Sequence, residues 1–126
     1  MWSLMAALGS YLNMRKSDKK MENQLSVVLT EVCNSALKEF TGFQWLTHLV
    51  NYDNFPKSLK VVFVFDTNAN LSTFIASNNS IDLSKLVQRK LFKIDINLKD
   101  MTKHVAYDTE ENCEKNHNGK WSERLV

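Results

Sequence analysis

Apolar side chains recur every three or four residues between positions 22 and 40, which is the spacing of one face of an amphipathic helix. Gly42 follows the last periodic residue, and glycine is common just after a helix end. The pattern therefore predicts a first helix over 22–40. Its apolar face contains Leu25, Val28, Leu29, Val32, Ala36, Leu37 and Phe40.

Two runs of β-branched and aromatic residues follow, at 43–50 and 59–65, and a turn-rich segment that contains Pro56 separates them. This arrangement predicts a β-hairpin with a long loop. The second run is apolar at odd and even positions alike, except at Lys60, and such a strand is normally covered on both faces. We expect it to be the central strand of a sheet.

Two further helices are predicted after this strand. Side-chain oxygens at residues 66–68 can cap a short helix over 69–77. Ser80 or Asp82 can then cap a longer helix that runs to about residue 95.

The last part of the chain predicts a short strand over 103–107 and a final helix that ends near 117–119. Asp108 and Glu111 have the spacing of a capping box at the start of that helix. A strand also leads into Asp-Thr at 66–67, and helix capping by these residue types explains both occurrences.

The predicted order is therefore α-β-β-α-α-β-α. It indicates an α+β domain with a three-stranded mixed sheet and helices packed mainly on one face. We assign residues 21–126 to this single domain, with Trp121 and Leu125 as candidate anchors of its tail, and residues 1–20 to a flexible N-terminal extension.

The start of the extension is apolar over residues 1–12, which is shorter than the roughly 20 residues of a membrane-spanning helix. Its positive charges follow the apolar run, whereas a secretory signal carries them before it. An amphipathic membrane anchor remains an alternative. Met14 and Met21 are also possible translation starts.

Composition is that of an ordinary globular protein, and a net charge of +2 over 126 residues does not by itself indicate a nucleic-acid partner. Two cysteines, Cys33 and Cys113, without a credible export signal favour free thiols in a reducing cytosol. We expect a cytoplasmic protein without a membrane partner.

The element order over about residues 21–117 resembles that of BolA and type-II KH domains, which are small α+β domains with helices over one face of a mixed sheet. Type-II KH domains grip the nucleic-acid backbone with a Gly-x-x-Gly loop between their two central helices. Here that place holds Ser77-Asn78-Asn79-Ser80, so that mechanism does not carry over.

The amino-acid sequence also resembles that of a small family of γ-proteobacterial proteins often labelled Fis-family transcriptional regulators. The resemblance rests on GFQWLTHLVNYDNFPKSLKVVFVFDTN at 42–68, INLKD at 96–100 and DTEENC at 108–113. The label implies DNA binding through a C-terminal helix-turn-helix. Residues 103–126 instead predict a strand, an acidic helix and a tail.

A basic stripe is the strongest candidate for function. Lys85, Arg89 and Lys93 are four residues apart and fall on the outer side of the third predicted helix, with Lys90 and Lys103 as further members and Lys99 nearby. Such cations can neutralise phosphates of DNA or RNA, although a solvated helix face has the same composition. An acidic cluster at 108–114 argues against nucleic acid and suits a charged protein partner or self-association.

Three aromatic residues are candidates for contact with a protein partner. Trp45 would lie in an exposed patch with Thr47 and Leu49 if one sheet face is uncovered. Tyr52 and Phe55 lie in the hairpin loop, where apolar rings are less expected.

Metal and catalytic chemistry have little support in the sequence. Cys113 and His117 have the spacing of two metal ligands on one helix face. The ordinary arrangement of four ligands in two closely spaced pairs is missing. Asp66 and Asp108 could hold Mg²⁺ together if the strands that precede them are parallel neighbours. No phosphate-binding glycine loop or hydrolase motif occurs.

We therefore expect that the protein is not an enzyme and that it has no cofactor and no small-molecule substrate. The leading hypothesis is a small regulatory protein that binds DNA or RNA through the basic stripe. The alternative is a protein-interaction or homodimerisation module that uses the sheet face or the hairpin loop.

Overall fold

The structure is a computed structural model that describes residues 14–125, so the apolar start of the predicted extension and Val126 lie outside the described residues. Its elements follow the predicted order. The strands are β1 (Phe43–Leu49), β2 (Lys60–Phe65) and β3 (Val105–Thr109). The helices are α1 (Lys16–Glu39), α2 (Asn68–Ala76), α3 (Asn79–Phe92), α4 (Glu110–His117) and the one-turn α5 (Trp121–Arg124), and 3₁₀ turns lie at Tyr52–Asn54 and Met101–Lys103.

The three strands form a mixed sheet in the order β1-β2-β3, which confirms the predicted α+β class. β1 is antiparallel to β2 and pairs Leu46 with Phe63, whereas β3 is parallel to β2 and pairs Tyr107 with Phe63. Every residue of β2 after Lys60 is buried, as expected for a central strand covered on both faces.

The helices cover the two faces of the sheet unequally. A large cluster joins α1 and α3 to one face through residues such as Leu29, Phe63 and Val87. The opposite face carries a small cluster, which consists of Val62, Val64, Cys113 and Trp121 with Trp45, Ala106 and Leu125 packed against it. Most helical packing is therefore on one face, and α4 and α5 close part of the other.

The two cysteines lie in different clusters. Cys33 belongs to the large cluster and Cys113 to the small one, so the sheet separates them and they form no disulfide.

Two helices, α1 and α3, have boundaries that differ from the prediction. α1 begins at Lys16 rather than at residue 22. The prediction missed its first turn because that turn is polar and carries no apolar repeat. Asp18 stabilises this end of the helix, since its negative charge lies near the positive end of the helix dipole. α3 begins at Asn79 and ends at Phe92. It stops before residue 95 because Asp95 is left-handed, with φ 64°, and the N–H of Ile96 turns back to bond the Leu91 carbonyl at 3.0 Å.

The predicted capping box at the last helix is wrong. Thr109, not Asp108, caps α4, since its hydroxyl accepts a hydrogen bond from the Asn112 N–H at 3.0 Å. β3 therefore extends to Thr109, two residues beyond the predicted end. Asp108 is held instead by Arg124, whose Nε lies 2.6 Å from one carboxylate oxygen.

Capping also differs at α3, where Asn78 precedes the first turn and makes no side-chain cap. Ser80 and Asp82 lie inside the helix and cap nothing. At α2 the prediction holds, because Thr67 accepts from the Asn70 N–H at 3.1 Å.

Candidate binding surface around α3

α3 presents different chemistry on each of its sides because its residues advance by about 100° each. Leu83, Val87 and Leu91 point into the large cluster and are buried. Lys85 and Arg89 point outward and are exposed, and Lys93 is exposed as the C-cap residue of the helix. Lys85 lines a groove together with residues of β3, whereas Lys93 lines another with residues of α1 and the hairpin loop, so the three predicted cations lie along α3 without sharing one groove.

The fourth predicted cation is placed differently. Lys90 lies on the flank of α3 that faces α1, and its ammonium donates to the Glu31 carboxylate at 2.8 Å. The hydrogen bond and charge of Lys90, with a smaller contribution from Lys93, lower the pKa of Glu31. Lys90 is therefore partly neutralised and belongs to the α1–α3 contact.

Lys103 is exposed on the 3₁₀ turn before β3. Its charge contributes to the lowered pKa of Asp100, although the main cause is the hydrogen bond that the Thr102 hydroxyl donates to that carboxylate. Within residues 14–125, Lys85 and Arg89 contact no carboxylate, so their charges are available to a partner.

The predicted acidic cluster does not face these cations. Asp108 is paired with Arg124, and the carboxylate of Glu110 accepts from the indole N–H groups of Trp45 and Trp121 at 2.5 and 3.1 Å. These contacts lie on the small-cluster side of the sheet, opposite α1 and α3. The acidic residues Asp108 and Glu110 therefore lie across the sheet from the cations of α3, while Asp82 is exposed on α3 itself and Asp95 follows its end.

Apolar side chains accompany the cations on the outside of α3. Phe92 is 64% exposed and Ile81 is 53% exposed. Both fall outside the inward stripe of the helix, and a helical projection of the sequence would have found them. They make the surface basic and apolar together.

A groove of about 520 Å³ lies between α3 and β3. Ile75, Ile81 and Met101 supply apolar walls, and Val105 and Tyr107 of β3 form its floor. Lys85 and Lys99 also line it, and no carboxylate of the described residues does. The groove was not predicted, because it requires β3 to lie at the sheet edge beside α3.

The three predicted partner aromatics are engaged within the molecule. Trp45 packs edge-to-face on Trp121 with ring centroids 4.8 Å apart, so the expected exposed patch with Thr47 does not form; Thr47 itself is buried. Tyr52 and Phe55 stack on each other at 5.4 Å and pack against the large cluster.

The Tyr52 hydroxyl donates to the Glu22 carboxylate at 3.3 Å, and burial together with that charge raises the pKa of Tyr52 strongly. The same carboxylate contacts Nε2 of His48 at 2.7 Å. Phe55 also lines a second groove of about 440 Å³ beside Lys93.

The residues considered for a metal do not converge. Cys113 is buried in the small cluster, and Nδ1 of His117 accepts from Arg124 at 3.3 Å. β2 and β3 are parallel neighbours, but Asp66 accepts from Asn70 while Asp108 turns to Arg124. In the described part of the chain, no three His, Cys, Asp or Glu side chains are grouped to hold a metal ion.

No helix among residues 14–125 is both long and apolar enough to cross a membrane. Comparison of the chain with protein-family models, curated proteins and solved structures gave no match. The function is therefore argued from the geometry of the α3 surface.

Proposed function

We propose that this protein is a non-enzymatic cytoplasmic regulator that binds single-stranded nucleic acid through the outer face of α3. The observation that carries the proposal is the row of exposed cations Lys85, Arg89 and Lys93, which stands on the opposite side of the molecule from the acidic cluster. Its resemblance to proteins labelled transcriptional regulators is a second, weaker support.

The dimensions of the row suit a nucleic-acid backbone. Residues eight positions apart in a helix are about 12 Å apart along its axis, which spans two or three phosphates of an extended strand. Phe92 is exposed beside Arg89, and an exposed ring is a platform on which a base stacks. The surface can thus bind without reading a particular sequence.

The proposal predicts weak, salt-dependent binding. Three phosphate contacts on a single strand give a slope of about −2 in log affinity against log salt, so affinity should fall roughly fifteenfold between about 50 and 200 mM salt. Fluorescence anisotropy with short labelled oligothymidine and oligouridine measures this directly. Absence of binding at the lower salt would contradict the proposal.

A pair of charge reversals tests the surface. Arg89→Glu with Lys93→Glu should reduce the affinity at least tenfold. The matched control is Lys115→Glu with Lys120→Glu, which makes the same change in net charge at exposed positions on and after α4. Equal loss in both variants would indicate that only net charge matters, and would reject α3 as the site.

The alternative function, protein interaction, is favoured by a different observation. The groove between α3 and β3 lies beside the edge strand of the described sheet, and Ile75, Ile81 and Met101 are among the residues that line it. Apolar grooves with a few cations are common sites for peptide segments. This surface shares Lys85 with the basic row, whereas Arg89 and Lys93 do not line it.

A further inference from the structure

Among residues 14–125, β3 is an edge strand, and its outer backbone groups have no partner within that range. The N–H of Val61 donates to the His104 carbonyl at 2.7 Å, and the parallel register pairs Val61 with Val105. In a parallel ladder this places the N–H and C=O of Ala106 toward β2, and those of Val105 and Tyr107 away from it. No residue in the described range 14–125 bonds these outward groups.

The residues that carry these outward groups line the groove beside α3. Val105 and Tyr107 form its floor, and they are about 6.6 Å apart, which is the repeat between equivalent groups of a strand. An extended peptide presents N–H and C=O groups at the same repeat. The wall formed by Ile81 and Ile75 can receive alternate side chains of such a peptide, and both residues are about half exposed.

We propose that this groove binds an extended acidic peptide segment of a partner protein, which adds to β3 as a fourth strand. Backbone hydrogen bonds to Val105 and Tyr107 supply part of the affinity, and the apolar wall of Ile75 on α2 and Ile81 on α3 supplies another part. Lys85 and Lys99 in the groove select carboxylate side chains, since no carboxylate of the described groove lining compensates them.

Charge complementarity excludes other parts of this chain as the best occupant. Residues 1–13 contain no aspartate or glutamate. In a second copy, β1 has no carboxylate, and Asp108 of β3 is already bound by Arg124. Pairing of two β3 edges would also bring the lysines of both copies together, which is unfavourable. A separate acidic partner meets none of these obstacles.

Hydrogen exchange followed by NMR tests strand addition at single amides. The full chain is titrated with a blocked eight-residue peptide in which valine and glutamate alternate. The amides of Val105 and Tyr107 should become at least tenfold slower to exchange, whereas those of Ala106 and Asp108, already bonded to β2, should change little. A peptide N-methylated at alternate residues, in the set that faces β3, should lose this effect.

Two double variants separate the groove from the outer face. Lys85→Glu with Lys99→Glu should weaken the peptide at least tenfold. Arg89→Glu with Lys93→Glu makes the same charge change outside this groove and should retain peptide binding within about twofold. Equal weakening by both pairs would show a non-specific electrostatic contact and overturn the proposal.

The same titration with oligothymidine distinguishes the two functions. Protection of Val105 and Tyr107 by oligothymidine but not by the peptide would make the groove a nucleic-acid cleft and reject the peptide. No protection by the peptide at millimolar concentration would also reject it. Failure of oligothymidine to bind at all would remove the proposed nucleic-acid function and leave the peptide result standing.

Discussion

Glu110 shows how a single residue acquires its role from neighbours that are distant in sequence. The sequence places it in an acidic cluster at a helix start, where it suits the positive end of the dipole. In the structure its two oxygens accept from Trp45, 65 residues away, and from Trp121. It thereby ties β1, α4 and α5 together at the small cluster.

Replacement of this carboxylate should destabilise the protein measurably. In Glu110→Gln only one side-chain oxygen remains for two indole donors, so one half-buried N–H loses its acceptor. We expect a loss of about 1–2 kcal/mol in the free energy of unfolding, measured by urea denaturation. Glu39→Gln, at an exposed position, should change it by less than about 0.5 kcal/mol. Similar losses in both variants would contradict this role.

At the scale of the element, the two Asp-Thr pairs at the ends of β2 and β3 both cap a helix, but they differ in burial and in their other contacts. Thr67 and Thr109 each cap a helix by accepting one backbone N–H. The preceding aspartates accept from the threonine N–H groups instead. Thr67 is exposed, but Thr109 is fully buried and also donates to the side chain of Asn68 at 2.6 Å.

The two caps should therefore differ in their contribution to stability. Thr67→Ala removes a single exposed cap and should cost about 1 kcal/mol. Thr109→Ala removes the cap, leaves Asn68 without its donor and opens buried space, so we expect about 2–3 kcal/mol. Urea denaturation measures both. Thr109→Ser keeps the hydroxyl and should recover more than half of the loss; no recovery would show that packing alone matters.

At the scale of the whole molecule, the C-terminal helices decide whether the second face of the sheet is exposed. Trp121 is buried on α5 and packs against Trp45 and the small cluster, which also contains Cys113. Arg124 fixes α5 to β3 through two hydrogen bonds to Asp108, at 2.6 and 2.9 Å. The last turn of helix therefore protects a surface formed much earlier in the chain.

Removal of the Trp121 side chain should make Cys113 reactive. Trp121→Ala should reduce the free energy of unfolding by about 3 kcal/mol and raise the labelling rate of Cys113 by a thiol reagent at least tenfold, read by mass spectrometry. Cys33, on the other face, should remain slow. Phe92→Ala is the control, because that ring is exposed and its removal should leave both quantities nearly unchanged. Fast labelling of Cys33 in Trp121→Ala would indicate global unfolding instead.

Local patterns in the sequence were enough to predict the element order, the central position of β2 and the inward and outward sides of α3. These features depend on period and on apolar content, which any stretch of chain carries by itself. Element ends were less predictable. Thr109 rather than Asp108 is the cap because β3 stays paired with β2 as far as Thr109, opposite Phe65, and that pairing joins residues far apart in the sequence.

Only the tertiary structure determines which elements pack against each other. The row of Lys85, Arg89 and Lys93 was visible in the sequence, but the pairing of Lys90 with Glu31 needed α1 and α3 to pack together. The groove along β3 needed a parallel strand to end up at the sheet edge beside α3. Periodicity specifies which side of an element is apolar, whereas the partner of that side depends on contacts between segments far apart in the chain.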